Sequence, residues 1–249
     1  MRETAVEMAT LTADDDRAAA LLEAIRAGDL DRLGRLLHED RSLASAWIQG
    51  PTGIARSTLH VATDWPGYFP NGPAVVRLLV GAGADPDAAI GGDGETPLHW
   101  AASSDDVDVA DALLDAGADL ERAGGSIVGG TPLDNAVGYG CWHVARRLVE
   151  RGARVDRLWH AAALGMLARL EELLNASPAP AGEEIDNAFW QACHGGLRRA
   201  AELLLARGAD VRWVPEYAQG TAVDVAAGPD TRRDLLVTWL GERGAGDAK

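Results

Sequence analysis

Apolar positions recur along the chain at helical spacing in short blocks, as at Leu98, Ala101, Leu113 and Leu114. No pair of short helices could bury these positions alone, so the pattern predicts helix pairs that stack on neighbouring pairs. The clearest internal repeat sets Thr96-Pro-Leu-His-Trp-Ala-Ala102 against Thr131-Pro-Leu-Asp-Asn-Ala-Val137, 35 residues further on. A second apolar block follows each, ending as Leu113-Leu-Asp-Ala-Gly-Ala-Asp119 and Leu148-Val-Glu-Arg-Gly-Ala-Arg154, with the glycine 21 residues after the threonine in both. Threonine caps the first helix, proline takes its first turn, where a missing N–H costs nothing, and glycine accepts the left-handed turn after the second helix.

The same template fits Ser57-Thr-Leu-His-Val-Ala-Thr63 with Gly83-Ala-Asp85, and Asn187-Ala-Phe-Trp-Gln-Ala-Cys193 with Gly208-Ala-Asp210. It fits Leu21 to Leu37, Asp156 to Leu174 and Thr221 to Ala245 more loosely. Units that start near Ala19, Ser57, Thr96, Thr131, Asp156, Asn187 and Thr221 predict an all-α solenoid of seven helix pairs. Its expected extent is one domain over residues 17–246, behind a flexible segment 1–16. The first unit lacks the Thr-Pro signal and carries Glu23, Arg26, Asp29 and Arg32, as a terminal repeat facing water does.

At Thr96-Pro-Leu-His99 and Gly117-Ala-Asp119 the chain resembles the ankyrin repeat. The resemblance implies about seven helix-turn-helix units with short hairpin fingers, whose first helices and fingers form a concave face that binds protein partners. The chain is also similar to a bacterial subgroup of stand-alone ankyrin proteins in which the second repeat carries a Asp64-Trp-Pro-Gly-Tyr-Phe-Pro-Asn-Gly72 insertion. Proline and glycine at this density predict a defined loop, whose aromatics either pack between helices or line a site.

Two further departures stand out. Between units four and five the finger is missing, because Gly152-Ala-Arg-Val-Asp156 runs straight into Leu158-Trp-His-Ala-Ala162, with Asp156 expected to cap the helix. Unit five then ends in a proline-rich connector, Asn175-Ala-Ser-Pro-Ala-Pro-Ala-Gly182. A groove interrupted twice suits a locally shaped pocket near the middle of the stack.

Charge narrows the partners. Lysine and arginine number 23 against 38 aspartates and glutamates, a formal charge of −15, which argues against nucleic acid and anionic membranes. Lys249 is the one lysine, and the arginine and alanine bias suggests a GC-rich, bacterial source. Two cysteines make no disulfide framework, Met1 to Asp16 carries no signal-like apolar stretch, and no segment approaches about 18 consecutive apolar residues; a cytoplasmic protein is expected.

The candidate chemistry follows from the repeat columns. His60 and His99 hold the fourth position, where imidazole ties neighbouring repeats; Asp134 and Asp224 share that column, and Trp159 and Trp190 replace the histidine as expected core. The fifth position, expected to face the concave side, reads Val61, Trp100, Asn135, His160, Gln191 and Val225. With the adjacent columns, the candidate ligand contacts are Trp65, Trp100, Asn135, Tyr139, Gln191, His194 and Trp213, and Asp64 and His160 are the candidate acid or base. Cys141, His143, Cys193 and His194 form two close pairs, but helical spacing aims them apart, so no metal site is expected. With no phosphate loop or nucleophile elbow, no cofactor is expected either.

Two functions remain open. One is an ankyrin protein that grips a protein or peptide partner on its concave face. The other is a cofactor-independent isomerase, cyclase or hydrolase with an aromatic-lined acid/base pocket for a small molecule.

Overall fold

The computed structural model describes residues 10–12, 14–50, 53–228 and 231–244. The chain divides into two compact units, Met1–Ala153 and Arg154–Lys249. The first holds four helix pairs: α1 (Asp16–Ala27) with α2 (Leu30–Glu39), α3 (Thr58–Ala62) with α4 (Gly72–Ala82), α5 (Pro97–Ser103) with α6 (Val107–Asp115), and α7 (Pro132–Gly138) with α8 (Trp142–Glu150). The second holds α9 (Leu158–Ala163) with α10 (Leu167–Leu174), α11 (Gly182–His194) with α12 (Arg198–Ala206), and α13 (Ala222–Ala226) with α14 (Thr231–Gly241).

Each pair buries the positions that the repeat marks. Leu98, Ala101 and Leu113 are fully buried in the first unit, as are Phe189, Ala192 and Leu204 in the second. Capping is equally direct: Thr131 N–H and hydroxyl both donate to Asp134 Oδ2, at 2.7 and 2.9 Å, while Pro132 takes the first turn of α7.

At His60, His99 and Trp190 the fourth position of the repeat carries a bond from one helix pair to the next. His99 Nδ1 accepts the Thr96 N–H at 3.1 Å, which leaves the proton on Nε2, and Nε2 meets Gly130 O at 3.1 Å. His60 repeats this, with Nδ1 at 2.8 Å from Ser57 Oγ and Nε2 at 3.0 Å from Glu95 O. Burial pushes the His60 imidazole down to about 4, so the ring stays neutral at pH 7. In the second unit Trp190 stands in this column, and its indole N–H donates to Gly220 O at 3.1 Å. All three acceptors are the carbonyl just before the next capping residue: Thr96, Thr131 and Thr221.

A small three-stranded sheet accompanies the first helix pairs. β1 (Thr10–Thr12) runs parallel to β2 (Trp47–Gln49), which pairs antiparallel with β3 (Ala55–Ser57). The first finger is therefore a β-hairpin with a third strand laid along it, and Leu11 and Ile48, paired in register, are both buried. Of segment 1–16, residues 1–9 and 13 lie outside the described residues, Thr10–Thr12 form this strand, and Asp15 caps α1.

Two helix starts differ from the sequence expectation. Asp156 does not cap α9: Arg157 occupies that position, and a carboxylate one residue earlier falls short of the first-turn N–H groups. It pairs instead with Arg169 and Arg154, at 3.5 and 3.8 Å. Helix α11 begins at Gly182 and not near Asn187, because Glu183 and Glu184 suit a first helical turn and Glu184 accepts the Ala181 N–H at 2.8 Å.

The insertion between α3 and α4 is a packed loop. Tyr68 N–H donates to Asp106 Oδ2 at 2.6 Å, the Tyr68 hydroxyl donates to Asp105 O, and Asn71 Nδ2 donates to Gly28 O at 3.0 Å. At Gly28 (φ 62°) a Cβ would stand 1.9 Å from Pro70 O, so only glycine lets the loop close on α1. No described helix is long and apolar enough to cross a membrane.

Candidate functional site

The insertion and the third and fourth helix pairs of the first unit line an open recess of about 200 Å³. Three of the expected ligand contacts, Trp65, Trp100 and Tyr139, line it, as does Asp64. Trp65 is 80% exposed and Tyr139 53%, while Trp100 is half-buried. Trp100 is held on several sides. Its Nε1 donates to Glu95 Oε2 at 3.0 Å, the His60 ring meets it edge-on at 5.0 Å, and the Arg56 guanidinium lies over it at 5.9 Å.

Glu95 organises this cavity, and the repeat reading passed over it because it precedes the Thr-Pro-Leu-His block. Its Oε1 accepts the Asn135 amide at 2.7 Å and the Ser126 N–H at 2.9 Å. Burial pushes the Glu95 carboxyl up, and the hydrogen bonds from Ser126, Asn135 and Trp100 outweigh it, so the group sits below the usual carboxylate range. Ser126 Oγ in turn lies 3.1 Å from the Tyr139 hydroxyl. A glutamate beside a capping threonine, at the end of a finger opposite polar fifth-position residues, is the signal that could have found it.

Asp64 faces cations. Its Oδ2 takes Arg56 at 2.8 Å and Arg26 at 3.6 Å, and its Oδ1 accepts the Trp65 N–H at 3.0 Å. This is the geometry of an ion pair that anchors the insertion.

The expectation that fifth-position side chains stand open needs correction. Val61, Asn135, His160 and Gln191 are all buried, and the finger residues Ile127 and Tyr217 bond to Asn135 and Gln191. Asn135 spends its amide on Glu95 and on Ser103 Oγ at 3.2 Å, and its carbonyl oxygen accepts the Ile127 N–H at 3.3 Å. It therefore supports the cavity from behind.

The remaining candidates lie in the second unit. His160 is buried, 4.3 Å from the Trp159 ring. Gln191 Nε2 donates to the Tyr217 hydroxyl at 3.2 Å, which donates to Asn187 Oδ1 at 2.6 Å. His194 Nδ1 lies 3.4 Å from Gln191 Oε1, and burial, helped by Arg233, pushes its imidazole down to about 4. Trp213 lines a separate cavity of about 330 Å³ with Glu183, Glu184, Asn187 and Tyr217. Cys141 and Cys193 are both buried, free thiols; burial pushes Cys141 up to about 11 and Cys193 further, so neither is a ready thiolate.

Stacked helix pairs joined by fingers, with an aromatic cavity on the finger side, define a helical-repeat binding scaffold. The family model described as ankyrin repeats (3 copies) matches residues 7–122 and 59–157, and the chain belongs to the ankyrin-repeat family. Human B-cell lymphoma 3 protein is 33% identical over 155 residues, 61% of this chain. The matched region spans 32% of that protein's length. The human ASB11 ankyrin repeat domain aligns with a TM-score of 0.48 at 20% identity, over 88% of this chain and 96% of that one.

Proposed function

We propose that the protein is an ankyrin binding protein that grips a protein or peptide partner on the concave face of its repeats, with residues 17–246 acting as one domain. The observation that carries this reading is the gathering of Trp65, Trp100 and Tyr139 around one cavity, two of them more than half exposed on a rigid helical scaffold. Exposed aromatic rings beside a shaped recess are what a partner's anchor residue needs, since such rings bring large contact area at little entropic cost. In this reading the Asp64 to Gly72 insertion marks a bacterial subgroup of the family and the protein works in the cytoplasm. The net charge of −15 favours a protein partner over nucleic acid or an anionic membrane.

The catalytic alternative asks Asp64 to exchange a proton, and Arg56 and Arg26 already take that carboxylate. Affinity capture from native cytosol tests the binding reading. The wild-type chain should hold a partner at stoichiometric level, and the Trp65→Ala/Tyr139→Ala double variant should lose it. No captured partner, or equal capture by both chains, rejects the reading.

A further inference from the structure

We propose that the cavity between Trp65, Trp100 and Tyr139 receives a cationic side chain, lysine or arginine, from the bound partner. The inference deepens the binding reading above and rests on it. A cavity of about 200 Å³ holds one long side chain, less than the roughly 300 Å³ and more of a drug-sized ligand site. Three aromatic rings line it, and the faces of such rings attract cations.

Most of the polar lining presents acceptors. Ser103 Oγ donates to His99 O at 2.9 Å, Thr63 Oγ1 to Leu59 O at 3.1 Å and Ser104 Oγ to Thr63 O at 3.5 Å. Their protons are committed to backbone carbonyls, Ser103 keeps a lone pair beyond the one the Asn135 amide takes, and the linked Ser126 and Tyr139 hydroxyls add acceptors with one proton left to donate. An ammonium or guanidinium, which only donates, matches this lining; a carboxylate meets lone pair against lone pair.

Glu95 adds the charge. Its three donors, the Ser126 N–H, the Asn135 amide and the Trp100 indole, are all neutral, so they fix the carboxylate without cancelling it. Among the described residues no arginine or lysine pairs with Glu95, while Arg56 and Arg26 are both drawn to Asp64. The negative field of the whole chain steers a basic segment toward it.

The test uses blocked pentapeptides Gly-Ser-Xaa-Ser-Gly, with lysine, arginine, norleucine or glutamate at the centre, and free choline as a non-peptide cation. The full chain is titrated while the Trp100 indole N–H resonance is followed by NMR. Lysine and arginine peptides should shift it saturably, at least about tenfold more tightly than norleucine or glutamate peptides. Trp65→Ala and Glu95→Gln should each weaken the lysine peptide by about tenfold or more. Should Glu95→Gln lower the thermal midpoint, Trp65→Ala, whose ring is 80% exposed, carries the test alone. Norleucine or glutamate binding as well as lysine, or no shift with any peptide, overturns the proposal. Choline binding more tightly than the lysine peptide overturns it too, in favour of a free small cation. A partner captured equally by wild type and Glu95→Gln, but lost from Trp65→Ala/Tyr139→Ala, overturns the cationic inference and leaves the binding reading standing.

Discussion

In the unit ending at Ala153 the bond between helix pairs comes from imidazole, His60 to Glu95 O and His99 to Gly130 O; in the unit beginning at Arg154 it comes from indole, Trp190 to Gly220 O. The acceptor has the same place in all three. At these three fourth positions a ring N–H reaches the next finger's last carbonyl, and two unrelated ring systems supply it; at Asp134 and Asp224 the same position serves its own helix cap instead. The Thr-Pro-Leu-His wording of the first unit is one spelling of that ring contact, and the family model, which matches no further than residue 157, reads that spelling. The two donors differ in one respect with consequences: imidazole titrates and indole does not.

Packing should not depend on the spelling. Leu113 and Leu204 are both fully buried, so Leu113→Ala and Leu204→Ala should each cost about 2–5 kcal/mol in urea unfolding. A Leu204→Ala cost below about 1 kcal/mol would show that the second unit is packed more loosely than the first.

Acid separates the donors. His60 falls from an ordinary 6.5 to about 4 on folding, so the unfolded chain binds the extra proton first. Its contribution is full above pH 6.5 and disappears as pH falls toward about 4, a loss of the order of 3 kcal/mol. His60→Gln should flatten that part of the stability–pH curve measured by denaturant titration; an unchanged slope would place the acid sensitivity elsewhere. The second unit keeps one such group, His194, but not in its clamp.

Removing the donor while keeping a ring should cost the first unit more. Trp190→Phe leaves one carbonyl without its partner, a loss of about 1–3 kcal/mol, and His99→Phe strands the Thr96 N–H as well and should cost more than that. A neutral Trp190→Phe would mean that the indole acts there through bulk alone. The smallest effect falls at Trp65. Its substitution by alanine should move stability by no more than about 0.5 kcal/mol, because the ring is exposed, while partner capture drops.

Much of the fold was legible because each repeated residue does a local job: Thr131 caps, Pro132 starts, Gly117 turns. The insertion was legible as a loop, and Asp64, Trp65, Trp100 and Tyr139 as neighbours, since columns of a repeat line up in space. What escaped depends on chain paths with no period. Glu95 joins the cavity through the course of a finger, and Gln191 is covered by Tyr217 from another. Thr10–Thr12 pairs with a strand more than 30 residues away, and three residues carry too little alternation to announce it.

That strand has a consequence for how molecules avoid one another. A two-stranded finger at the end of a repeat array offers an open row of N–H and C=O groups to any extended chain that drifts past, including a sister molecule's finger. Thr10–Thr12 fills the outer row of Trp47–Gln49 from within the same chain. The outer row then belongs to a strand of only three residues, and so short an edge gives a passing chain little to pair with.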